Sequence, residues 1–331
     1  MRIQIICPLP PHSVYGSQVT AVRWANMLHA LDHSVELSQH YGGTICDLLV
    51  AMRAEKTAEA VIQFHKRHPG KHCFLVLNGT DVYGDCLRSD TVFEAMRLAD
   101  RLITFQPLAA HEIPEEFRSK VRTIYQSADR TSHCYPADPD SFLVSVVGHL
   151  RADKDPLRAA VAARRLPKAS RIRGVQAGDC EAAELLEQAR AEALTNPRYR
   201  YLGPIPRWKV RQLMASSRLL VVSSLMESGA NVISEAAVDY VPVLASRIPG
   251  NVGVLGEDYP GYFPAGNTRA LTSLLVEAEN DPCFYQELKT RCALLARRFL
   301  PEREQAEWKK LLVELAGGRE VNHVRRLRVG A

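Results

Sequence analysis

The sequence predicts an α/β fold made of two Rossmann-like domains, whose parallel sheets face a cleft. Short apolar segments typical of strands alternate with helical patterns along nearly all of the 331 residues, as parallel βαβ units require. The alternation stops at 132–141, a segment rich in Pro, Asp and Ser, and then restarts. A chain of this length is also long enough for two domains. We therefore expect one domain on each side of this linker.

The first series of elements predicts a domain over residues 1–135. Ser17 is expected to cap the first helix, because a serine hydroxyl can accept a hydrogen bond from a free backbone N–H. Pro69-Gly70 ends the second helix. The predicted strands are Arg2–Cys7, His33–Ser38, Asp47–Met52, His72–Asn78, Arg101–Phe105 and Val121–Gln126, and the predicted helices are Ser17–Leu31, Ala54–Arg67 and Thr91–Ala99.

The second series predicts a domain over residues 141–300. Asp155 is expected to cap its first helix, with Pro156 at the first helical position. The predicted strands are Phe142–Val147, Arg171–Gln176, Tyr199–Leu202, Arg218–Ser223 and Pro242–Ala245, and the predicted helices are Asp155–Leu166, Glu181–Leu194, Arg207–Ala215 and Ala230–Tyr240.

The end of the chain predicts one more helix, over 301–316. Trp308, Leu311, Leu312 and Leu315 recur at helical spacing and form one apolar face. We expect this helix to pack back on the N-terminal domain. Gly317-Gly318 is expected to end it, leaving 317–331 as a basic, solvated tail.

Composition excludes several classes of protein. Apolar residues make up 46% of the chain and charged residues 24%, as in soluble globular proteins. No segment approaches the roughly 18 apolar residues that a membrane helix needs, and the N-terminal apolar segment is too short for a signal peptide. We therefore expect a cytoplasmic protein without a membrane partner. The net charge of +5 fits a small anionic ligand better than a nucleic acid.

Two common nucleotide-binding motifs are absent from the sequence. No G-x-G-x-x-G follows the first predicted strand, and no G-x-x-x-x-G-K-[ST] occurs anywhere. This argues against a nicotinamide-dependent dehydrogenase and against a P-loop ATPase.

The segment 223–246 predicts a nucleotide site. It reads as strand, glycine-containing loop, helix and strand, with Glu227 in the loop and Glu235 eight residues later in the helix. The helix start, formed by Gly229, Ala230 and Asn231, offers free N–H groups that suit a phosphate. A carboxylate in the first turns can accept hydrogen bonds from ribose hydroxyls. The alternative is that both acids only favour the helix dipole.

A second segment, 146–156, has the sequence VVGHLRADKDP and predicts a diphosphate clamp. Gly148 follows a strand, and Arg151 and Lys154 lie just before a predicted helix. Two cations at a helix N-terminus can hold a diphosphate. The alternative is a solvated loop with ordinary charges, but open α/β sheets bind ligands at the carboxyl ends of their strands.

Two loops of the first domain are candidates for an acceptor site. The loop 8–17 follows the first strand, and the segment 78–81 follows the fourth. An ordinary βα loop explains the first segment equally well, and an ordinary Asn-Gly turn is the alternative for the second. The candidate acceptor residues are His12, Gly16, Ser17, Gln18, Arg23, Asn78, Thr80 and Asp81.

We predict no metal site. His65, His68 and His72 straddle a helix end, a turn and a strand, so they do not share a face. Asp138-Pro139-Asp140 could hold a metal bound to a diphosphate, but it lies in the linker with a proline at its centre.

The E-x7-E segment, followed by Pro242 and Val243, resembles the donor site of retaining glycosyltransferases with the GT-B fold. The resemblance implies a UDP-sugar bound by the C-terminal domain. It assigns Glu235 to the ribose, Glu227 to the sugar hydroxyls and Lys154 to the diphosphate. The glycine loop at Gly148 and the amides of Gly229, Ala230 and Asn231 would surround the phosphates. His149 stands where the family has an arginine and is, with Glu227, a catalytic candidate; Arg151, two positions on, is available to supply the charge.

Longer segments in both domains resemble the selenosugar synthases of selenoneine biosynthesis. That family joins selenophosphate to the anomeric carbon of a UDP-sugar, preferably UDP-N-acetylglucosamine, and releases UDP and phosphate. The resemblance implies no cofactor, and a soft, deprotonated selenium nucleophile requires no general base. Two alternatives are sugar transfer to a lipid or polysaccharide hydroxyl, and UDP-sugar binding without catalysis. The segments are PPHSVYGSQVTAVRWANML, LNGTDVY, VVGHLRADKDPLRAA, SSLMESGANVISEA and VPVLASRIPGNVGVLGEDYPGYFP.

Overall fold

The structure, a computed structural model, describes residues 1–11, 13–132 and 140–329, with side chains up to residue 315. The chain divides into two compact units, unit 1 (1–125 and 301–331) and unit 2 (126–300). The strands are β1 (Arg2–Ile6), β2 (Ser34–Ser38), β3 (Leu48–Met52), β4 (His72–Val76), β5 (Arg101–Thr104), β6 (Val121–Thr123), β7 (Phe142–Val147), β8 (Ile172–Ala177), β9 (Tyr199–Tyr201), β10 (Leu219–Val222), β11 (Val243–Ser246) and β12 (Tyr262–Phe263).

The helices occupy the segments between these strands and the end of the chain. They are α1 (Gly16–His29), α2 (Ala54–Arg67), α3 (Gly79–Tyr83), α4 (Asp90–Leu98), α5 (Ala109–Glu112), α6 (Glu115–Arg118), α7 (Arg158–Ala163), α8 (Ala183–Thr195), α9 (Arg207–Ala215), α10 (Asn231–Val238), α11 (Pro249–Leu255), α12 (Thr268–Asn280), α13 (Pro282–Ala296) and α14 (Pro301–Val329). Within the described residues, no helix is both long and apolar enough to cross a membrane.

Each unit contains one six-stranded parallel sheet, which confirms the predicted α/β fold class. The strand order is β2-β1-β3-β4-β5-β6 in unit 1 and β12-β11-β10-β7-β8-β9 in unit 2. The strand order reverses between β1 and β3 in the first sheet and between β7 and β10 in the second. Ligands bind at such switch points, outside the carboxyl ends of the strands.

The core of unit 1 lies on both faces of its sheet. All five residues of β3 are buried, as in a strand covered by helices on both sides. On one face, Trp24 of α1 packs against Trp308 of α14, with ring centroids 4.9 Å apart. The predicted apolar face of the final helix, Trp308 to Leu315, therefore packs within unit 1.

The final helix is longer than predicted. It runs through Gly317-Gly318 and ends at Val329, so the prediction of an end at these glycines is wrong. A glycine costs about 1 kcal/mol in a helix interior but does not block the helical conformation. The residues that follow include Arg, Glu and Leu, which favour helix.

Two predicted helix caps are wrong. Helix α1 begins at Gly16, with Tyr15 and not Ser17 at the N-cap position. Asp155 has a positive φ of 44° and closes a short 3₁₀ turn, and α7 begins only at Arg158. The Asp155 carboxylate accepts a hydrogen bond from Arg158 Nε at 2.6 Å.

The region 249–300, which the sequence analysis left unassigned, contains three helices and a short strand. The signals for two of these helices are present in the sequence. Asn267 caps α12 by accepting a hydrogen bond from Ala270 N at 3.0 Å. Asp281 caps α13 in the same way through Cys283 N at 2.8 Å, and Pro282 occupies the first turn, where proline is favoured.

Candidate functional site

The two segments predicted to form the donor site meet at the switch point of unit 2. The loop after β7 and the loop after β10 are joined by backbone hydrogen bonds. Leu225 N and Met226 N both donate to the carbonyl of Asp153, at 2.8 and 3.3 Å. Ser223 Oγ donates to the carbonyl of Asp155 at 2.8 Å. The two loops are separate segments in the sequence, and the sheet order brings them together.

Lys154 and Glu227, one from each loop, form an ion pair. Lys154 Nζ lies 2.8 Å from Glu227 Oε1, and the side chains are 27% and 13% exposed. Ser224 Oγ donates to the same carboxylate oxygen at 2.8 Å. Within the described part of the chain, no group donates to Glu227 Oε2. The carboxylate is thus held through one oxygen while the other can accept a hydrogen bond from a ligand.

Arg151 is held by an acid that the sequence analysis did not single out. Its Nε lies 3.0 Å from Asp153 Oδ1, and Asp153 Oδ2 lies 3.5 Å from Lys154 Nζ. The positive charges of Arg151 and Lys154 are therefore balanced by the carboxylates of Asp153 and Glu227. A diphosphate would compete with Asp153 and Glu227 for these cations, so the cluster is not a bare positive patch. In the sequence, Asp153 resembles an ordinary acid between two basic residues.

The turn before these cations depends on glycine. Gly148 has a φ of +155°, outside the range that other residues favour. Gly178, after β8, packs so closely that a Cβ there would lie 1.9 Å from the Gly148 carbonyl oxygen. His149 follows the turn and is half-buried. The backbone of this loop is thus closely packed where the sequence predicted an approach to phosphate.

The predicted phosphate site at the start of α10 has an N-terminus without a side-chain cap. Gly229 has a φ of +150°, and Ala230 occupies the N-cap position, where its methyl group cannot accept a hydrogen bond. Helix α10 begins at Asn231, one residue later than predicted. The first N–H groups of a helix lack intrahelical partners and favour an anion.

Gly250 controls the position of the Glu227 backbone. A Cβ on Gly250, in the first turn of α11, would lie 1.9 Å from the Glu227 carbonyl oxygen. Only glycine permits this close approach of the two backbones. Gly250 is not among the site residues predicted from the sequence, although Pro249 before it is typical of a helix start.

Glu235 lies in the middle of α10 and is paired with a residue that the sequence analysis missed. Its side chain is 5% exposed, and its Oε1 lies 2.6 Å from Nη2 of Arg207, the first residue of α9. The Arg207 side chain is 45% exposed. No described residue donates to Glu235 Oε2. Both glutamates of the E-x7-E pair are therefore anchored through Oε1.

In unit 1, Asp81 is a structural residue. It is fully buried, and its carboxylate accepts hydrogen bonds from the backbone N–H groups of Asn78, Ala54 and Glu55 at 2.7, 3.1 and 3.0 Å. Burial raises the pKa of the Asp81 carboxyl, and these hydrogen bonds only partly oppose it. The carboxylate thus joins α3 to the start of α2.

Arg23, another candidate acceptor residue, forms an ion pair within unit 1. Its Nε donates to Glu304 Oε2 at 2.8 Å, and Trp24 Nε1 donates to Glu304 Oε1 at 2.6 Å. The Glu304 side chain is completely buried. The guanidinium of Arg23 therefore neutralises a buried acid of α14.

The other candidates of unit 1 are only partly brought together. Asn78 Nδ2 donates to Ser17 Oγ at 2.6 Å, which joins the loops after β1 and β4. Gln18 is buried in the first turn of α1, which Gly16 begins, and Thr80 is exposed. His12 lies outside the described residues.

Among the described residues, no group of three or more His, Cys, Asp or Glu side chains could hold a metal ion. Asp140 is described and exposed, whereas Asp138 lies outside the described residues. The absence of a metal in the reaction stays a prediction.

Comparison with known proteins identifies a family and a fold. A family model described as glycosyl transferases group 1 matches residues 130–298. A sucrose-phosphate synthase from Thermosynechococcus elongatus is 15% identical, with a TM-score of 0.79, and the match covers 96% of this chain and 99% of that chain. HepE from Anabaena, in complex with UDP and glucose, is 17% identical, with a TM-score of 0.74 and coverage of 95% and 100%.

A glycosyltransferase from Rickettsia africae is 10% identical, with a TM-score of 0.73 and coverage of 95% and 98%. At these identities the likeness shows the two-domain α/β fold alone. A search of curated protein sequences found no match.

Proposed function

The chain belongs to the group 1 glycosyl transferases, and from this premise we propose that it is a selenosugar synthase. It would transfer the sugar of a UDP-sugar, preferably UDP-N-acetylglucosamine, to selenophosphate. The anchored Glu227, paired with Lys154 at the switch point of unit 2, is the observation that carries a catalytic role. The selenium acceptor is supported by the resemblance of the long segments in both units.

The donor half of the reaction uses the loops of unit 2. The open oxygen of Glu235 accepts hydrogen bonds from ribose hydroxyls, and the N-terminus of α10 receives the phosphates. HepE, which shares the fold, was solved with UDP and glucose, and this supports a UDP-sugar here. Glu227 contacts the sugar hydroxyls, and His149 lies in the loop that carries Lys154.

The transfer step breaks the bond between the anomeric carbon and the diphosphate oxygen, and the electron pair leaves with UDP. A selenium lone pair forms the new carbon–selenium bond. Water then cleaves the selenium–phosphorus bond and yields phosphate and the selenosugar. Lys154 stabilises the charge that develops on the leaving diphosphate, as preorganised cations do in other active sites.

The acceptor residues of unit 1 fit a nucleophile that needs no general base. A hydroxyl acceptor usually requires a base to remove its proton. Of the candidate acceptor residues that the structure describes, Asp81 is the one carboxylate, and backbone N–H groups occupy it. A deprotonated selenium nucleophile avoids this requirement.

A cytoplasmic location stays part of the proposal.

The test is UDP release from UDP-N-acetylglucosamine with and without selenophosphate, together with mass spectrometry of the product. We expect release only with selenophosphate, and a product that contains selenium bound to the sugar. A panel of UDP-sugars then defines the preferred donor. Transfer to a hydroxyl acceptor without selenophosphate would favour the alternative transferase, and UDP-sugar binding without turnover would favour a non-catalytic protein.

We also propose that the reaction needs no metal, because Lys154 and the N-terminus of α10 supply the charge that the diphosphate requires. Chelation with EDTA should leave the rate of UDP release almost unchanged. Loss of activity in EDTA that Mg²⁺ or Mn²⁺ restores would contradict this proposal and return Asp138 and Asp140 to the candidate ligands.

A further inference from the structure

Helices α9 and α10 are joined by two ion pairs one helical turn apart. Arg207 Nη2 lies 2.6 Å from Glu235 Oε1, and Arg211 Nη2 lies 2.9 Å from Asp239 Oδ2. The two arginines are four residues apart, as are the two acids, so each pair of side chains lies on one helix face. Arg211 and Asp239 are largely buried. This second pair fixes the position of α9 against α10 and thereby the position of Arg207.

Glu235 depends on Arg207 for its charge balance. A carboxylate as buried as that of Glu235 is costly unless a charged or hydrogen-bonding partner compensates for lost water. Among the described residues, Arg207 is the one side chain that makes this contact. It donates to Oε1 alone. The remaining oxygen, Oε2, keeps its capacity to accept hydrogen bonds.

We propose that Arg207 is a positioning residue for ribose recognition. It holds Glu235 through Oε1, so that Oε2 is preorganised to accept hydrogen bonds from the 2′ and 3′ hydroxyls of a uridine nucleotide. The inference rests on the proposed role of unit 2 as the UDP-sugar site. It adds that discrimination for ribose depends on a residue of α9 that does not itself contact the reacting atoms.

The experiment compares the binding of UDP and of 2′,3′-dideoxy-UDP by calorimetry. The variants are Arg207→Ala, Arg207→Lys and Glu235→Ala. The matched control is Arg164→Ala, because Arg164 is about as exposed as Arg207 and forms an ion pair with Glu192 of α8, at 2.7 Å, in the same unit. Thermal unfolding of each variant shows whether the fold is retained.

We expect the wild-type protein to bind UDP more tightly than the dideoxy nucleotide. Arg207→Ala should weaken UDP binding about tenfold, as expected for a lost charge-assisted hydrogen bond, and leave the dideoxy nucleotide unaffected. Arg207→Lys should restore part of the discrimination, and Arg164→Ala should behave as wild type.

Two results for Arg207→Ala would overturn the inference. One is unchanged discrimination between the two nucleotides, and the other is an equal loss of affinity for both, which would indicate a general structural role. The Glu235→Ala variant distinguishes an error in the role of Arg207 from an error in the proposed UDP-sugar site. If discrimination between the two nucleotides survives without Glu235, or if the wild-type protein does not bind UDP, the assignment of Glu235 to the ribose is itself wrong. Ribose discrimination without any selenosugar product would overturn only the selenium acceptor.

Discussion

The two units share one architecture but use their polar loop residues differently. Each has a six-stranded parallel sheet with polar side chains after the carboxyl ends of its strands. In unit 2, Lys154 and Glu227 contact each other, and Glu227 keeps an oxygen open. In unit 1, Asp81 is occupied by backbone N–H groups, and Arg23 by a buried glutamate.

Under the proposed function, a polar residue at a strand end serves either a ligand or the fold, according to its burial and partners. Backbone N–H groups need acceptors wherever they are buried, and Asp81 supplies one to each of three such groups. Glu227 is bound by Lys154 from the neighbouring loop and by Ser224 from its own loop, and side chains can exchange partners when a ligand enters. We therefore expect substitution of Lys154 or Glu227 in unit 2 to change activity, and substitution of Asp81 or Arg23 in unit 1 to change stability.

The largest effect is expected at Glu227 in unit 2. Glu227→Gln keeps the shape of the side chain and removes the charge, so turnover should fall by about 10²-fold or more, as for other preorganised polar groups. UDP affinity should change little, because an interaction that serves the transition state affects turnover more than ground-state binding. Steady-state kinetics and calorimetry measure the two quantities.

Glu192→Gln is the matched control, since Glu192 is also paired with a cation in unit 2. It should retain wild-type turnover. Near-wild-type turnover in Glu227→Gln would mean that Glu227 only stabilises its loop, and the contrast between the two units would then disappear.

A smaller effect, on stability and not on activity, is expected at Arg23 in unit 1. Arg23→Ala removes the cation beside the buried carboxylate of Glu304, which keeps its hydrogen bond from the Trp24 N–H. Loss of one partner of a buried charged group costs about 2 kcal/mol of unfolding free energy. Activity per folded molecule should stay unchanged. Urea denaturation and the kinetics of the folded fraction test both statements.

The control for Arg23 is Arg97→Ala, which removes an exposed ion pair with Glu94 and should change stability by less than about 0.5 kcal/mol. If Arg23→Ala retained full stability but raised the KM for selenophosphate, Arg23 would belong to the acceptor site as the sequence predicted.

The smallest effect is expected at the amino edge of the unit 1 sheet. Hydrogen bonds from Lys71 Nζ and from the backbone N–H of Arg2 lower the pKa of Asp47 to about 2. Because this folded-state pKa lies below the unfolded value of about 3.9, the contribution of Asp47 to stability is present above about pH 4 and is lost as the pH falls towards 2.

Asp47→Asn should therefore lower the urea midpoint at pH 7 and flatten its dependence on pH between 4 and 3, with unchanged activity at pH 7. Asp85→Asn, which alters an exposed ion pair with Arg88, is the control and should keep the wild-type slope. An unchanged slope in Asp47→Asn would show that other carboxyl groups carry the acid sensitivity.

The secondary structure was largely determined by local sequence. The bounds of α2, α9 and β7 agree with the prediction at both ends, because apolar periodicity and proline or glycine at the ends are signals within a single segment. The capping residues of the helices were harder to predict from the sequence. Ser17 and Asp155 are typical capping residues, but the chain directs both to other partners, Asn78 and Arg158.

The sequence by itself determined which loops carry the candidate donor site, because the strand–glycine loop–helix pattern and the E-x7-E spacing are local. Tertiary structure alone decided which polar groups in them are held and which stay open. Arg207 and Glu235 are 28 residues apart, and Lys154 and Met226 are 72 apart. The first pair meets because α9 packs against α10, and the second because β7 lies beside β10 in the sheet. No pattern within one segment encodes either arrangement.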